Sequence, residues 1–317
     1  MLMSERLYAR LLERKKALDS HRPLNQLQLQ KLKEEFTVEY VYNSTSIEGN
    51  TLSLNETRLV LQEGITIGGK SLREHIDVTN QSAAIEYLDA FVKEKREIRE
   101  SDILMLHRIT LKGISDYWAG RYKTSQNRIV GSKHKTTPPY KVSGEMGNLV
   151  YNLKGNPRKF NPVELAAFAH HEIARIHPFV DGNGRTARLV CNLILMRNGF
   201  PPVIIRTKER AKYFDCLEKA HFGDLKAFAD FIGRRVEESL MLYLSAFAKT
   251  TKNNELLPLA SLARETPYSQ EYLSLLCRRG LLPATKINNV WHSSREEIEN
   301  YMQMVKHRNI GIGKKSQ

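Results

Sequence analysis

The sequence has few cysteines and no long hydrophobic run. Only three of its 317 residues are cysteine, and no two stand in a CxxC spacing, which argues against a disulfide framework and a structural zinc site. No stretch of about 18 apolar residues occurs, so we expect no membrane span and no membrane partner. The first 25 residues are charged throughout and lack the apolar segment of a signal peptide. These absences predict a cytoplasmic globular protein.

Positive charge is in excess, with a formal net charge of +14. The excess permits nucleic acid or phosphorylated ligands as partners but specifies neither. Residues 253–317 contain nine Lys or Arg and six Asp or Glu, a net of +3, so the preceding 252 residues carry +11. Because the excess per residue is about equal in the two parts, charge does not single out a DNA-binding end.

Helical signals dominate most of the chain. Two capping boxes, each a serine followed three residues later by a glutamate, predict helix starts. An asparagine followed by proline predicts another helix, which should run to about Ile176. The residues predicted to cap helices are Asn25, Ser53, Ser71, Ser101 and Asn161. Further helices are predicted at about 184–199, 207–221 and 225–250.

One segment, at about 118–140, departs from the helical pattern. It contains two glycines, the pair Pro138-Pro139 and a short β-prone run at 128–130. Such turn formers around a β-prone run are typical of a β-hairpin, and we refer to this segment as the flap.

The region after a polar boundary near residues 250–258 has its own compact pattern. A short helix at 259–265 and a second helix capped by Ser269 precede two short strands and a last helix at about 294–305. This order predicts a helix-turn-helix followed by a wing. Its predicted core is Tyr272, Leu275, Leu276, Leu281, Leu282 and Trp291. Two interpretations stay open: a DNA-binding module that uses Arg278, Arg279 and Lys286, or a docking or dimerisation module of the same shape.

The stretch from His177 to Arg188 carries most of the recognisable chemistry. Gly182 and Gly184 let the backbone approach a phosphate closely, and the helix that follows presents free N–H groups to an anion. Arg185 and Arg188 lie about one turn apart, so both can reach the same phosphates. Asp181 offers the oxygen ligand that Mg²⁺ prefers, and His177 is a base that titrates near neutrality. This set favours phosphoryl or nucleotidyl transfer to a hydroxyl.

These twelve residues match the signature H-x-F-x-[D/E]-G-N-[G/K]-R-x-x-R at every fixed position. The sequence therefore resembles the Fic family, whose members are helical and mostly transfer AMP from ATP to a Ser, Thr or Tyr hydroxyl of a protein. The resemblance implies an all-α fold: a Fic core with a small β-hairpin flap, plus a small C-terminal winged-helix domain. It divides the chain into an N-terminal helical region (1–100, inhibitory helix at about 26–50), a catalytic core (101–250) and a winged helix (253–308).

Carried over by position, the resemblance also implies a role for each loop residue. His177 would deprotonate the target hydroxyl, Phe179 would anchor the loop in the core, and Asp181 would hold Mg²⁺. The arginines would contact the outer phosphates, Arg185 the β- and Arg188 the γ-phosphate. The residues expected to contact the nucleotide are Val130, Gly131, Ser132, Lys133, Asp181, Gly182, Asn183, Gly184, Arg185, Thr186, Ala187, Arg188, Tyr213 and His221. In this scheme the flap docks a target segment by strand addition, and Tyr213 and His221 line the adenosine pocket.

A second pattern, Ser44-x-x-x-Glu48-Gly49, resembles the inhibitory helix of one Fic class. Ser44 and Glu48 are four residues apart and share a helix face, and Gly49 can end that helix. In relatives this glutamate pairs with the arginine equivalent to Arg188. A guanidinium tied to a carboxylate cannot bind a γ-phosphate, so the resemblance implies a low-activity enzyme that Glu48→Gly would release.

Other functions remain open from the sequence. The chain could be a regulator in which a DNA- or protein-binding tail dominates and the Fic site only senses nucleotide. The same site could instead use another nucleotide, or remove AMP from a modified target with Glu48 orienting water. Expected partners are a target protein, the chain itself by self-modification, DNA and a second copy in a homodimer.

Overall fold

The computed structural model describes residues 2–21, 26–247, 256–287 and 290–312, and these residues are mostly helical. This confirms the predicted helical class. The helices are α1 Glu5–Ser20, α2 Gln26–Ile47, α3 Leu54–Glu63, α4 Leu72–Glu94, α5 Glu100–Leu111, α6 Pro139–Gly155, α7 Pro162–Ile176, α8 Asn183–Arg197, α9 Arg210–His221, α10 Leu225–Phe247, α11 Leu259–Ala263, α12 Gln270–Arg278 and α13 Arg295–Ile312. The strands are β1 Leu257–Pro258, β2 Thr285–Ile287 and β3 Val290–Ser293, and a 3-10 turn at Thr207–Glu209 precedes α9.

Four of the predicted caps start helices as expected: Ser53, Ser71 and Asn161, and also Ser269, whose hydroxyl accepts a hydrogen bond from the Tyr272 N–H. Ser53 and Ser71 each accept a hydrogen bond from the main-chain N–H three residues on, and the glutamate there accepts one from the serine N–H. Asn161 caps α7 in the same reciprocal way, with proline at the first helical position. These caps satisfy N–H groups that have no partner within a helix.

The cap predicted at Ser101 is wrong. Helix α5 begins at Glu100 because the Asp102 carboxylate accepts a 2.7 Å hydrogen bond from the Arg99 N–H. A carboxylate can thus stabilise a helix start at a residue whose own side chain is a poor cap. Asn25 lies outside the described residues, and α2 begins directly after it.

Two helices, α1 and α6, were not predicted. Helix α6 contains three glycines and follows Pro138, which supplies no side-chain cap. It buries Val142, Met146 and Leu149, whose helical spacing places them on one face. Tertiary packing therefore outweighs the weak local signal.

The flap does not form the predicted β-hairpin. Residues 121–138 contain no strand and make an irregular loop, in which the Gln126 amide donates to the main-chain and side-chain oxygens of Thr136. The main-chain N–H groups of Lys123 and Thr137 donate to the carbonyls of Pro178 and Ile176. Those N–H groups hold the flap against the end of α7, so they are not available for a ladder within the flap.

The described residues form two compact units, and the first contains residues up to Leu11 and from Gln30 to Val236. Within it α7 and α8 pack most extensively against each other, and α4 and α5 cover α8. These helices bury long apolar runs, which fixes the turn between α7 and α8 on a rigid support. No helix in the described ranges is both long and apolar enough to cross a membrane.

The second unit comprises Leu12–Leu29 and the chain from Glu237 onward. Its strands form an antiparallel sheet in the order β1-β3-β2, with Lys286 opposite Trp291. Tyr272, predicted for the core, is exposed, because the helix face set by the Ser269 cap buries Leu273 instead. The buried core is Leu259, Leu262, Leu273, Leu276, Cys277, Leu282 and Ile298. The predicted boundary near 250–258 lies mostly outside the described residues.

Candidate active site

His177 ends α7 in a left-handed conformation, with φ of 51°. Its main-chain N–H still donates to the Ile173 carbonyl, so the helix orients the imidazole that follows its last turn. Burial, together with the smaller effect of the nearby Lys123 ammonium, lowers the pKa of His177 to about 4. The imidazole is therefore neutral at pH 7 and able to accept a proton.

Phe179 anchors the turn through a residue that the sequence analysis missed. The ring of Phe179 is fully buried and stacks on the ring of His107, with centroids 3.6 Å apart and planes within 5°. The N–H of Gly120 donates to His107 Nδ1, so the neutral ring carries its proton on Nε2, which donates to the Asp181 carbonyl at 2.9 Å. His107 on α5 thus holds both ends of the segment 179–181.

The start of α8 has the form of an anion site. Gly182 caps the helix with φ of 77°, a conformation that favours glycine, and no side chain satisfies the first N–H groups. The main-chain N–H groups of Asn183, Gly184 and Arg185 have no hydrogen-bond partner within the described part of the chain. The Asn183 amide, expected to contact phosphate, instead bonds the N–H and carbonyl of Phe179, both at 2.9 Å. The side chain of Asn183 therefore stabilises the turn, and only its main-chain N–H is available to bind a ligand.

Asp181 lies among two arginines and a second carboxylate. Its Oδ2 contacts Arg73 at 2.8 Å and its Oδ1 contacts Arg185 at 3.1 Å, and Arg185 also pairs with Asp77. Burial raises the pKa of Asp181, but Arg185, the Gly182 N–H and Arg73 lower it more, and the net pKa is below its usual value. Arg73 and Asp77 were not predicted, although their spacing of four places both on one face of α4.

Arg188 is tied to the end of α2. Its side chain is only 3% exposed, its Nη2 donates to Glu48 Oε1 at 2.8 Å, and its Nε donates to Ser44 Oγ at 3.0 Å. The Ser44 carbonyl accepts a further bond from Nη2. The other terminal nitrogen, Nη1, is buried without a partner in the part of the chain that the structure describes. Nη1 therefore remains available as a hydrogen-bond donor, whereas Nη2 already donates to Glu48.

The end of α2 is held from a second side. Gly49 follows the last turn, and its N–H donates to the Ser46 carbonyl. Arg210 Nε donates to the Ile47 carbonyl at 3.0 Å, and the N–H of Thr207 donates to Asn43 Oδ1 at 2.9 Å. The start of α9 thereby fixes the helix that carries Glu48.

The tip of the flap is clamped to α9 by Glu218. Ser132 Oγ and the N–H of Lys133 both donate to the Glu218 carboxylate. Val130, expected beside the nucleotide, is 95% exposed, and Gly131 is exposed as well. No local pattern in the sequence indicates this role of Glu218, because only the fold brings it to the flap.

The two residues assigned to the adenosine pocket differ in their surroundings. Tyr213 is 1% exposed and its hydroxyl bonds His170 Nε2 at 3.0 Å, so its side chain belongs to the core. His221 is half-buried, lies 3.2 Å from His171 Nε2 through its Nδ1, and stacks on His134 of the flap. Thr186 and Ala187 are fully buried on α8, and Thr186 Oγ1 has no hydrogen-bond partner among the described residues.

Comparison with known proteins agrees with this geometry. A family profile described as Fic/DOC matches residues 97–195. Two solved structures share the fold. Residues 134–508 of Fic-1 from Caenorhabditis elegans are 37% identical, with a TM-score of 0.69 and coverage of 77% of this chain and 74% of that one. A Fic domain-containing signalling protein from Bacteroides thetaiotaomicron is 30% identical, with a TM-score of 0.70 and coverage of 76% of this chain and 98% of that one. The chain belongs to the Fic/DOC family.

Relatives with a named activity are protein adenylyltransferases. The Fic/DOC chain described here is 41% identical over 229 residues to protein adenylyltransferase fic-1 of Caenorhabditis briggsae, which covers 71% of this chain and 45% of the relative. It is 36% identical over 266 residues to protein adenylyltransferase Fic of Aedes aegypti, and this alignment covers 83% of this chain and 52% of the relative. The chain thus spans about half the length of the curated relatives it matches.

Proposed function

We propose that this Fic protein transfers AMP from ATP to a Ser, Thr or Tyr hydroxyl of a protein. The proposal depends on the neutral, half-buried imidazole of His177, which is joined by the short loop 178–182 to the unsatisfied N–H groups at the start of α8. The names of the relatives support the same reaction.

In the proposed reaction His177 accepts the proton of the acceptor hydroxyl. The hydroxyl oxygen then forms a bond to the α-phosphorus of ATP, the bond from that phosphorus to the bridging oxygen of the β-phosphate breaks, and pyrophosphate leaves. The N–H groups of Asn183, Gly184 and Arg185 would bind oxygens of the inner phosphates, and Arg188 would bind the outer phosphate through Nη1. Donors fixed before the reaction lower the barrier because they need no reorganisation.

The residues present fit a Mg²⁺ ion that ATP brings with it. Asp181 is a partly exposed carboxylate with a low pKa, and one carboxylate together with substrate phosphates is a common Mg²⁺ site. Among the described residues no group of three or more His, Cys, Asp or Glu side chains could hold a metal alone. Asp181 would hold the ion, which would neutralise phosphate charge during transfer.

We further propose that Glu48 inhibits this activity. Its carboxylate occupies Arg188 and places negative charge beside the expected outer phosphate, so ATP would bind in an unproductive pose. The Ser44 bonds to the same guanidinium strengthen the restraint.

Mass spectrometry tests both proposals in one experiment. The Glu48→Gly variant, incubated with ATP and a cell lysate, should add the mass of AMP to itself and to a target hydroxyl, whereas the wild-type chain should do so weakly. Glu48→Gly combined with His177→Ala should bind ATP but transfer nothing. Equal transfer by wild type and Glu48→Gly would exclude inhibition by Glu48. Transfer of another nucleotide, or removal of AMP, would replace the proposed reaction.

We propose that the C-terminal region is a winged helix and retain the predicted domains 1–100, 101–250 and 253–308. The order α11, α12, β2, β3, α13 and the antiparallel pairing of β2 with β3 support this assignment. Whether the module binds DNA, protein or a second copy is tested by titration with duplex DNA at low and high salt and by light scattering. A salt-dependent DNA affinity would favour the DNA-binding interpretation.

A further inference from the structure

The charge of the flap region differs sharply from that of the rest of the chain. Residues 117–144 contain six Lys or Arg and no Asp or Glu. This short segment therefore supplies +6 of the net +14, and all the other residues together supply the remaining +8. A local excess of this size produces a positive potential that favours negatively charged partners.

Most of this charge is at the surface and is not neutralised by the fold. Of the six cations only Lys123 is buried. The other five have no carboxylate within ion-pair distance anywhere in the described ranges, although the aromatic rings of Tyr117 and Tyr140 lie close to two of them. These five exposed cations are Arg121, Arg128, Lys133, Lys135 and Lys141.

Four of the five exposed cations lie on the flap, which is hydrogen-bonded to residues near the proposed base, and the fifth, Lys141, lies on α6. The flap is hydrogen-bonded to the carbonyls of Arg175, Ile176 and Pro178, all within two residues of His177. The N–H groups of Arg128 and Val130 make no hydrogen bond within the part of the chain that the structure describes. Unpaired peptide N–H groups at the surface can donate hydrogen bonds to the backbone of a second chain.

We propose that the acceptor hydroxyl lies in an acidic segment of the target protein, which docks on the flap through its Asp and Glu side chains. The inference rests on the proposed transfer of AMP to a protein. The free N–H groups of Arg128 and Val130 lie on the same segment as three exposed cationic side chains, those of Arg128, Lys133 and Lys135. An acidic segment docked on it would lie close to several unneutralised cations, which speeds encounter and selects against basic segments.

Matched peptides test this preference. The Glu48→Gly variant would be given ATP and three peptides with the same central threonine, flanked by Glu and Asp, by Ser and Gly, or by Lys. The acidic peptide should have a KM at least tenfold lower than the neutral one at low salt, with a similar kcat, and the difference should shrink as salt screens the charges. Equal KM values for the three peptides would overturn the proposal.

Charge reversal on the flap supplies the matching control. Arg128→Glu with Lys135→Glu should abolish or invert the preference, while Lys93→Glu, an exposed cation about 30 Å along α4 from Arg73, should leave it unchanged. Fluorescence anisotropy of the labelled peptides measures binding without transfer. Tighter binding of the acidic peptide without any AMP transfer would sustain the docking inference and reject the proposed reaction. AMP transfer without any charge preference would sustain the proposed reaction and reject the docking inference.

Discussion

Glu48 lies so close to Gly184 that a Cβ atom at position 184 would overlap the Oε1 of Glu48. The same Cβ would be 3.2 Å from Arg188 Nη1. The ion pair between Glu48 and Arg188 therefore depends on the absence of a side chain at Gly184. This glycine therefore belongs to the proposed inhibitory contact as well as to the proposed phosphate site.

Gly184→Ala should push Glu48 away from Arg188 and raise self-modification with radiolabelled ATP several-fold. The methyl group should add nothing in a Glu48→Gly background, because the carboxylate it displaces is already gone. Gly147→Ala, in open space on α6, is the control and should not change transfer. Lower activity of Gly184→Ala in both backgrounds would mean that the methyl group blocks the nucleotide instead.

Glu48→Ala should destabilise the nucleotide-free protein by about 1–3 kcal/mol, because it leaves a buried guanidinium without its carboxylate. ATP should stabilise this variant more than it stabilises the wild type, since Arg188 is then free to bind phosphate. Thermal unfolding with and without ATP measures both effects. If ATP shifts the Tm of the two proteins equally, Glu48 does not compete with phosphate for Arg188.

Lys123→Met should raise the pKa of His177 toward its ordinary value by removing a positive charge beside it. Lys123 is buried, its pKa is lowered to about 8 by burial, and its ammonium bonds Asn127 Oδ1 at 2.6 Å. In the Glu48→Gly background the acidic limb of the kcat/KM profile should move to higher pH for Lys123→Met. Lys123→Arg retains the charge and should keep the limb in place. An unmoved limb with lower activity would indicate that Lys123 only supports the loop.

Stability should fall as the pH drops below about 6.5. Burial lowers the pKa values of His107 and His177 to about 4 and that of His221 to about 3. Below the unfolded value of about 6.5 the unfolded chain binds protons that the folded chain does not, and the free energy of unfolding decreases by up to about 1.4 kcal/mol per pH unit for each group. Above pH 7 these histidines are neutral in both states and no such loss occurs.

Urea denaturation at pH 7.5, 6 and 5 measures this slope. His221→Asn removes one of the three groups and should make the stability fall less steeply between pH 6 and 5. Glu74 and Glu172, whose pKa values are lowered to about 2, contribute their own loss only below about pH 4.5. A stability that is constant from pH 7.5 to 5 would contradict the assignment of neutral buried histidines.

Local sequence signals were sufficient where a few neighbouring residues complete an interaction. The capping boxes of Ser53, Ser71 and Asn161 each close within four residues, and the structure has all three. Local signals were insufficient at the start of α5, where the helix is capped at Arg99 and not at Ser101. They were also insufficient in α6, where tertiary packing determines that a helix forms.

The sequence by itself determined the fold class and the chemical inventory of the turn from His177 to Arg188, because twelve consecutive residues bring their own base, carboxylate, glycines and arginines. Tertiary structure alone decided which of these groups are available. It placed Glu48 on Arg188 across 140 positions, turned the Asn183 amide inward and buried Tyr213. It also brought His107 and Lys123 to the turn. Such contacts join residues distant in the chain, and their geometry follows from how whole helices pack rather than from any local pattern.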